Sequence, residues 1–308
     1  MDSKQKIYTI LNRAEGVISG ETLSAELGIS RVSVWKHIRG LVESGISIIS
    51  SPKGYRLTRD PDSLVPWAFD ARQDRIHYFQ ETGSTMDEAM VLARKGCADF
   101  SVAVAQRQTC GRGRMQRNWL SADGGLYFTV VVRPDIPMMM AGLVNLAAAI
   151  DMANLLRSMY QIDACLKWPN DILVNSHKIC GVLSQMEAEG DQVAHMNIGI
   201  GLNVNNAPET EEPIAISLRA LLGRPVPRQE ILVAFLEAFE NRMLTFDPLV
   251  VLDEWKLHNV TLGRQVCIIT VKDRVEGTAV DVDSHGGLIL RLADGTCQTV
   301  MVGDCFHR

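Results

Sequence analysis

Apolar residues in the first sixty positions recur with the spacing of amphipathic helices. Ile7, Ile10 and Leu11 share one face of a first helix, and Leu23 and Leu27 begin a second one. Residues three or four positions apart lie on the same side of a helix, so each set predicts a helix with one buried face.

A third helix and a short hairpin complete this first segment. Val34, Ile38 and Leu41 follow the i, i+4, i+7 spacing of a helix. After them, the short runs Ile46–Ser50 and Gly54–Leu57 flank a proline-containing turn. Three helices followed by two short strands around a turn predict a winged helix-turn-helix.

A proline- and aspartate-rich stretch, Arg59–Ala68, separates this segment from a longer one in which strand-like and helix-like patterns alternate. The strand-like runs are Val102–Ala105, Leu126–Val132, Ile172–Val174, Val182–Met186 and Met196–Ile200. The helix-like runs are Met86–Arg94, Met139–Tyr160 and Gln229–Leu244. This mixture predicts a catalytic domain of the α/β or α+β class.

The last segment carries only strand-like patterns, separated by glycine-containing turns. The apolar or alternating runs are Val266–Val271, Val275–Val282, Leu288–Leu292 and Gln298–Val302. Four or five short strands within roughly 45 residues predict a small β-barrel. The whole chain is therefore expected to be an α+β multidomain protein. The predicted boundaries are 1–59 for the winged helix-turn-helix, 60–68 for a linker, 69–260 for the catalytic domain and 261–308 for the barrel.

Charge is unevenly distributed between these segments. Residues 1–59 contain nine Lys and Arg and five Asp and Glu, a net charge of +4. The remaining residues contain 22 Lys and Arg and 31 Asp and Glu, a net charge of −9. A basic head on an acidic body indicates that the head alone meets a polyanion.

The composition and the cysteines indicate the cellular compartment in which the protein acts. The most apolar stretch, Met138–Ile150, is too short to span a bilayer and predicts a buried helix. The polar N-terminus lacks the apolar core of a secretory signal. The seven cysteines are odd in number and form no CxxC pair, which argues against a disulfide framework or a zinc ribbon. We therefore expect a cytoplasmic protein without a membrane partner.

The turn between the second and third predicted helices has the chemistry of a helix-turn-helix. Gly28 supplies the turn, and Ser30 is suited to cap the next helix. That helix presents basic and polar side chains outside its apolar face, and a lysine lies at the tip of the wing. The residues expected to meet operator DNA are Ser30, Arg31, Ser33, Lys36, His37, Arg39 and Lys53. A solvated basic face on a protein-interaction domain is the alternative interpretation.

One loop combines glycine and arginine in a way that a buried core does not explain. Residues Cys110–Arg114 spell Cys-Gly-Arg-Gly-Arg, and Trp119 follows them. Glycines let a backbone approach a ligand closely, and guanidinium groups bind phosphate oxygens in a fork. The loop therefore predicts an anionic nucleotide ligand, although the chain contains neither a GxxxxGK[ST] loop nor a GxGxxG that opens a helix.

A second motif places Lys167 immediately before a Trp-Pro pair. Proline fixes its own φ and restricts the preceding residue, so this lysine is expected on a rigid segment. Lys178 precedes an apolar run that predicts the second strand of a hairpin. The run Gly199–Asn203 ends a strand, and it is either a turn or part of a pocket wall.

These motifs, in this order, resemble the biotin protein ligase family. They are Gly111–Arg114, Lys167–Asp171, Lys178–Gly181 and Gly199–Asn203. The turn Gly83–Thr85 resembles that family's early biotin-contacting turn. The DNA-binding head makes the chain most similar to the bifunctional ligase–repressors, and the resemblance covers essentially the whole chain.

The resemblance implies a fold and a reaction. The central domain would be a class II synthetase-like, or biotin/lipoate ligase, α/β domain, and the C-terminal barrel would be SH3-like. The protein would form biotinyl-5′-AMP from biotin and ATP, with Mg²⁺ on the nucleotide, and transfer biotin to a lysine of a biotin carboxyl carrier protein. It would also repress biotin genes, with biotinyl-AMP as the co-repressor that forms a homodimer on operator DNA. No metal ligand from the protein is predicted.

The resemblance also implies roles for individual residues. Lys167 would lie between the biotin carboxylate and the ATP α-phosphate, and the implied catalytic residues are Lys167, Arg112 and Arg114. The implied biotin-binding residues are Ser84, Thr85, Met86, Gln108, Arg112, Gly113, Arg114 and Lys167. The residues implied to shape the adenylate pocket are Trp119, Gly181 and Asn203. Gln116 stands where the family loop usually has a glycine, which predicts a less flexible loop but not a loss of activity.

Three alternatives stay open at this point. The chain could be a ligand-sensing transcription factor without ligase activity, a lipoate-type acyl ligase of similar fold, or an active ligase whose head binds protein rather than DNA. The intact loop arginines and Lys167 argue against the first. The combination of the Gly-Arg-Gly-Arg and Lys-Trp-Pro-Asn-Asp motifs favours biotin over lipoate.

Overall fold

Three structural units follow one another along the chain. The structure is a computed structural model, and the residues that it describes are 3–14, 16–43, 46–58, 62–270 and 273–308. Arg59, Asp60 and Pro61 of the predicted linker and Val271 of a predicted strand lie outside the described residues.

The first unit is the predicted winged helix-turn-helix. Its helices are α1 (Ser3–Arg13), α2 (Gly20–Leu27) and α3 (Arg31–Glu43). Its wing is an antiparallel hairpin of β1 (Ile48–Ser51) and β2 (Gly54–Leu57). Gly28 ends α2 with a φ of +66°, a left-handed conformation that glycine adopts without strain. The buried core includes the predicted apolar positions Ile7, Leu11, Leu23, Val34, Ile38 and Leu41.

The second unit is built on a seven-stranded sheet. Its strands are β3 (Ile76–Thr82), β4 (Ser101–Gln108), β5 (Leu126–Val132), β6 (Ala164–Lys167), β7 (Asp171–Val174), β8 (His177–Glu189) and β9 (Gln192–Leu202). Their order is β3-β4-β5-β9-β8-β7-β6, and all neighbours are antiparallel except the parallel pair β3 and β4. The apolar pattern did not predict β3, which mixes polar and apolar residues, or β6, which has only four residues.

Helices cover this sheet and form the rest of its core. They are α4 (Thr85–Arg94), α5 (Ala141–Tyr160), α6 (Leu218–Leu222), α7 (Arg228–Leu244) and α8 (Pro248–His258). The segment Met138–Tyr160 is long and apolar enough to cross a membrane, but most side chains of α5 are buried against α7, α8 and the sheet. This confirms the prediction of a buried helix. The helices α6 and α8 were not predicted from the sequence.

The third unit is a five-stranded antiparallel sheet, in agreement with the predicted SH3-like class. Its strands are β10 (Gln265–Ile269), β11 (Arg274–Val282), β12 (Leu288–Arg291), β13 (Cys297–Val300) and β14 (Asp304–His307). They lie in the order β13-β12-β11-β10-β14. The sequence pattern did not predict β14, which has four residues and pairs with β10.

The segment that leaves the head packs on both of the units that it joins. Leu64 is buried in the core of the second unit and Val65 in the core of the head. The Asp62 carboxylate accepts hydrogen bonds from the Arg228 backbone N–H and Nε, each at 2.9 Å. The buried Arg228 guanidinium also donates to the Gly125 carbonyl at 3.0 Å. These charge-assisted hydrogen bonds therefore hold the segment that follows the head beside the start of β5.

Candidate active site

A pocket lies where the Gly/Arg loop (Cys110–Trp119), the end of β6 and the third unit meet. It brings together side chains that are far apart along the chain. Every residue predicted to be catalytic, to bind biotin or to shape the adenylate site lines it: Ser84, Thr85, Met86, Gln108, Arg112, Gly113, Arg114, Trp119, Lys167, Gly181 and Asn203.

One corner of the pocket is polar and internally hydrogen-bonded. Ser84 caps α4, where its Oγ accepts from the Met86 N–H at 3.3 Å. The Thr85 N–H and Oγ1 donate to Gln108 Oε1 at 2.7 and 3.1 Å, and Gln108 Nε2 donates to Ser121 Oγ at 2.8 Å. Ser84 and Thr85 are buried. These bonds orient the polar groups before any ligand arrives.

Glycines on β9 form a floor for the pocket. A Cβ at Gly201 would lie 2.5 Å from the Trp119 indole, and a Cβ at Gly199 would lie 2.5 Å from Met86 Sδ. Distances this short are steric clashes, so larger residues at either position would displace a pocket side chain. The run Gly199–Asn203 is therefore part of a pocket wall and not a turn.

Lys167 ends β6, and the next residue anchors it to the third unit. The Trp168 N–H donates to Thr261 Oγ1 at 3.0 Å, and its indole Nε1–H donates to the Gly286 carbonyl at 3.0 Å. Trp168 is almost completely buried. The backbone that carries Lys167 is thus fixed by two hydrogen bonds to residues of another unit.

The ammonium group of Lys167 has no ion-pair or hydrogen-bond partner in the part of the chain that the structure describes, and it lines the pocket. Its charge acts on two residues of β14. Burial, together with Lys167 and Arg264, lowers the pKa of His307 to about 4. Burial raises the pKa of Cys305 to about 11, against the opposing effect of Lys167. Both side chains are therefore uncharged near neutral pH, and neither neutralises the lysine.

Lys178 and Arg112, which also line the pocket, are paired with carboxylates. Lys178 Nζ lies 2.6 Å from Asp171 Oδ1 and 5.1 Å from the centroid of the Trp119 ring. Arg112 Nη1 lies 2.6 Å from Asp87 Oδ1. Their charges are partly neutralised where they stand, so they attract a further anion less strongly than Lys167 does.

Two buried donors in the pocket lack acceptors. Arg114 Nη1 and Trp119 Nε1 are buried, and neither has a hydrogen-bond partner in the described part of the molecule. Burial lowers the pKa of Arg114 from its ordinary value, whereas Asp304 and Asp171 act in the opposite direction. An unsatisfied buried donor costs about 1–3 kcal/mol. Acceptors on a ligand would remove this cost.

A metal site built by the protein would need several His, Cys, Asp or Glu side chains close together. Among the residues that the structure describes, no three His, Cys, Asp or Glu side chains come together as a metal-binding group.

Comparisons with known proteins agree with this geometry. Residues 82–203 match the Biotin/lipoate A/B protein ligase family, residues 3–56 an HTH domain, and residues 261–308 the Biotin protein ligase C terminal domain. The chain is 33% identical to Bifunctional ligase/repressor BirA of Bacillus subtilis over 295 residues. This aligned region covers 90% of each of the two chains. The chain belongs to the biotin protein ligase family.

Other members of the biotin protein ligase family are similar over most of their length. The Escherichia coli Bifunctional ligase/repressor BirA is 28% identical over 304 residues, which is 93% of this chain and 91% of that one. The biotin protein ligase from Aquifex aeolicus in complex with biotin and ATP superposes with a TM-score of 0.63 at 27% identity. The match covers 76% of this chain and 98% of that one.

The residues predicted to meet DNA all lie on the head. Ser30 caps α3, where its Oγ accepts from the Ser33 N–H at 3.1 Å. Arg39 Nε lies 2.8 Å from Glu43 Oε1 one turn further along. Ser33 and His37 are half-buried, and the exposed members of the predicted set are Ser30, Arg31, Lys36, Arg39 and Lys53.

The strained part of the loop coincides with the residue that departs from the family pattern. Met115 and Gln116 have φ values of +50° and +62°, in the left-handed region. That conformation costs a residue with a side chain roughly 1–2 kcal/mol, whereas glycine adopts it freely. The glycine usual in the family would fit this position without strain. Gln116 therefore makes this loop conformation costlier.

An ion pair between the loop and the third unit was not predicted from the sequence. Arg117 pairs with Asp304 at the start of β14, and its guanidinium carbon lies 6.0 Å from the centroid of the Phe306 ring. Asp304, Cys305 and Phe306 line one side of the pocket. No local pattern indicates this contact, because its partners are 187 positions apart.

Asp304→Asn is expected to loosen the loop, because it removes the carboxylate that holds Arg117. Trypsin should then cleave between residues 112 and 117 about two to five times faster, since an exposed ion pair contributes up to about 1 kcal/mol. Peptide mass spectrometry of timed digests measures the rate. Glu187→Gln is the matched control, because it removes the exposed Arg94–Glu187 pair, in which neither residue lines the pocket. Equal loop cleavage in Asp304→Asn and the unmodified protein would contradict the proposed tether.

Proposed function

We propose that the chain is an ATP-dependent biotin protein ligase that also represses transcription through its N-terminal head. It joins biotin to ATP as biotinyl-5′-AMP and then transfers the biotinyl group to a lysine of a biotin carboxyl carrier protein. The main support is the unpaired ammonium of Lys167, in a pocket that also holds free donors on Arg114 and Trp119. Membership of the family supports the same reaction.

The first step needs positive charge at Lys167 because it brings two anions together. The biotin carboxylate must attack the α-phosphorus of ATP and displace pyrophosphate. Two unit negative charges 4 Å apart repel by about 4 kcal/mol at an effective dielectric constant of 20. An ammonium group between them attracts both, and it stabilises the charge that develops as the new P–O bond forms.

The position of Lys167 matters as much as its charge. The two hydrogen bonds of Trp168 to Thr261 and Gly286 hold the adjacent backbone. A charge that is already in place requires little reorganisation when the anions meet, which is the usual origin of electrostatic catalysis. In this scheme Trp168 and Thr261 act as positioning residues for the lysine.

The polar corner at the start of α4 is the proposed site for the biotin ring system. The ureido group of biotin offers one carbonyl acceptor and two N–H donors. Ser84, Thr85 and Gln108 supply hydroxyl and amide groups that hydrogen bonds already orient. Met86 and the glycine floor of β9 supply apolar surface for the hydrocarbon part of the vitamin.

The Gly/Arg loop is the proposed contact for the adenylate. A phosphate oxygen of biotinyl-AMP would give Arg114 Nη1 its missing acceptor, and a polar atom of the ligand would do the same for Trp119 Nε1. Arg112 and Gly113 belong to the same loop, and Gly181 and Asn203 line the same pocket. Closure of this loop excludes water and so protects the mixed anhydride from hydrolysis.

Mg²⁺ is expected to enter with ATP. The described residues offer no ready metal-binding group, so the β- and γ-phosphates of the nucleotide would supply the main ligands. In the transfer step, the amine of the carrier lysine attacks the anhydride carbonyl, an amide bond forms and AMP leaves. The protein needs no covalent intermediate for either step.

Repression is proposed to depend on a homodimer. A loop that biotinyl-AMP orders would complete the surface between two copies, and the dimer would present two α3 helices to two operator half-sites. We expect this protein to act in the cytoplasm, where ATP, the carrier protein and DNA occur together.

The direct test of the ligase uses the mass of the carrier. Incubation with biotin, ATP, Mg²⁺ and a biotin carboxyl carrier domain should add one biotinyl group per carrier, and omission of ATP should prevent it. Lipoic or octanoic acid in place of biotin should leave the carrier unchanged. Modification by either of these acids in preference to biotin would assign the pocket to a different acyl group.

The proposed dimer is tested by sedimentation velocity with and without biotinyl-AMP. The adenylate should shift the protein toward the mass of two chains and should strengthen binding to operator DNA in parallel. An unchanged sedimentation coefficient together with an unchanged operator affinity would show that the adenylate does not control assembly.

A further inference from the structure

The outer face of α3 carries exposed apolar side chains that the ligase reaction does not use. Val32 is 63% exposed and Trp35 is 50% exposed, one turn apart on the same side of the helix. The opposite side, with Val34, Ile38 and Leu41, is already buried in the core of the head. The pair lies outside that core, and its exposed surface is available to a partner.

Cationic side chains are exposed on the same helix as this apolar pair. The Arg39 guanidinium carbon lies 5.8 Å from the centroid of the Trp35 ring, and Arg31 and Lys36 are exposed on the same helix. The net charge of residues 1–59 is +4. Such a surface complements the phosphates of a nucleic acid duplex better than the surface of a typical protein partner.

Their position along the helix places Val32 and Trp35 near base edges. The N-terminal turns of the recognition helix of a helix-turn-helix enter the major groove. Ser30 caps α3, so these two residues lie within its first two turns. Arg31 and Lys36 would then be available to phosphates and guanine edges on either side, whereas Arg39 is already paired with Glu43.

We propose that Val32 and Trp35 recognise thymine through its 5-methyl group. This proposal rests on the proposed operator binding and adds the chemistry by which that operator is distinguished. Among the groups that base pairs present in the major groove, the thymine methyl is the one that an apolar side chain recognises best. The operator should therefore contain thymine at one or more positions opposite the start of α3 in each half-site.

The test begins without any variant. The full-length protein, with biotin, ATP and Mg²⁺, selects duplexes from a random library. Each thymine of the selected sequence is then replaced in turn by uracil, which pairs identically but lacks the methyl. At least one replacement per half-site should weaken binding about fourfold, the equivalent of about 0.8 kcal/mol for one buried methyl-sized group.

Variants then assign the contact to its side chain. Trp35→Ala and Val32→Ser should each bring the ratio of thymine affinity to uracil affinity close to one at the base that the altered side chain contacts. Trp35→Phe should keep most of the fourfold ratio. Val42→Ala is the matched control: Val42 is also exposed on α3, but it lies two turns further along, beside the acidic Glu43. This variant should keep the full fourfold difference.

The outcomes separate this proposal from the function on which it rests. Equal affinity for thymine and uracil at every position, with the selected duplex still bound tightly, would overturn methyl recognition and leave operator binding intact. A difference that persists in both Trp35→Ala and Val32→Ser would assign it to other residues. If the library yields no enriched sequence, operator binding fails as well, and the outer face of α3 would belong to a protein partner.

Discussion

An unpaired positive charge at Lys167 is the feature on which the rest of the site depends. Five cationic side chains are among the described residues that line the pocket, and three of them, Lys178, Arg112 and Arg117, have carboxylate partners. Lys167 and one nitrogen of Arg114 do not. The attraction for an anion is therefore concentrated at two points, and a carboxylate and a phosphate must meet there for the reaction to begin.

The third unit holds this charge in place and is part of the active site. It receives the two hydrogen bonds of Trp168, next to Lys167, and its Asp304 pairs with Arg117 of the Gly/Arg loop. One contact fixes the strand end that carries the lysine, and the other positions the loop that covers the ligand. A catalytic domain separated from this barrel would keep its charged residues but lose the contacts that orient them.

Sequence patterns predicted the three units, because helical and strand periodicities survive wherever one face is buried. They missed β6 and β14, because each of these four-residue strands begins or ends in a charged or polar residue and so gives no clear apolar run. The motifs predicted which side chains share the pocket. They did not predict the Trp168–Thr261 or Arg117–Asp304 contacts, since each joins residues far apart in the chain and depends on how the units pack. The pairing of Lys178 with Asp171 was within reach, because both lie in one hairpin.

The central claim is tested most directly by pyrophosphate release from biotin and ATP in the Lys167→Ala variant. Lys95→Ala, which removes an exposed lysine at the end of α4, is the control and should release pyrophosphate at the rate of the unmodified protein. Loss of a charge that stabilises the transition state should slow release by Lys167→Ala at least about 100-fold. Undiminished release by Lys167→Ala would show that another group brings the carboxylate and the phosphate together.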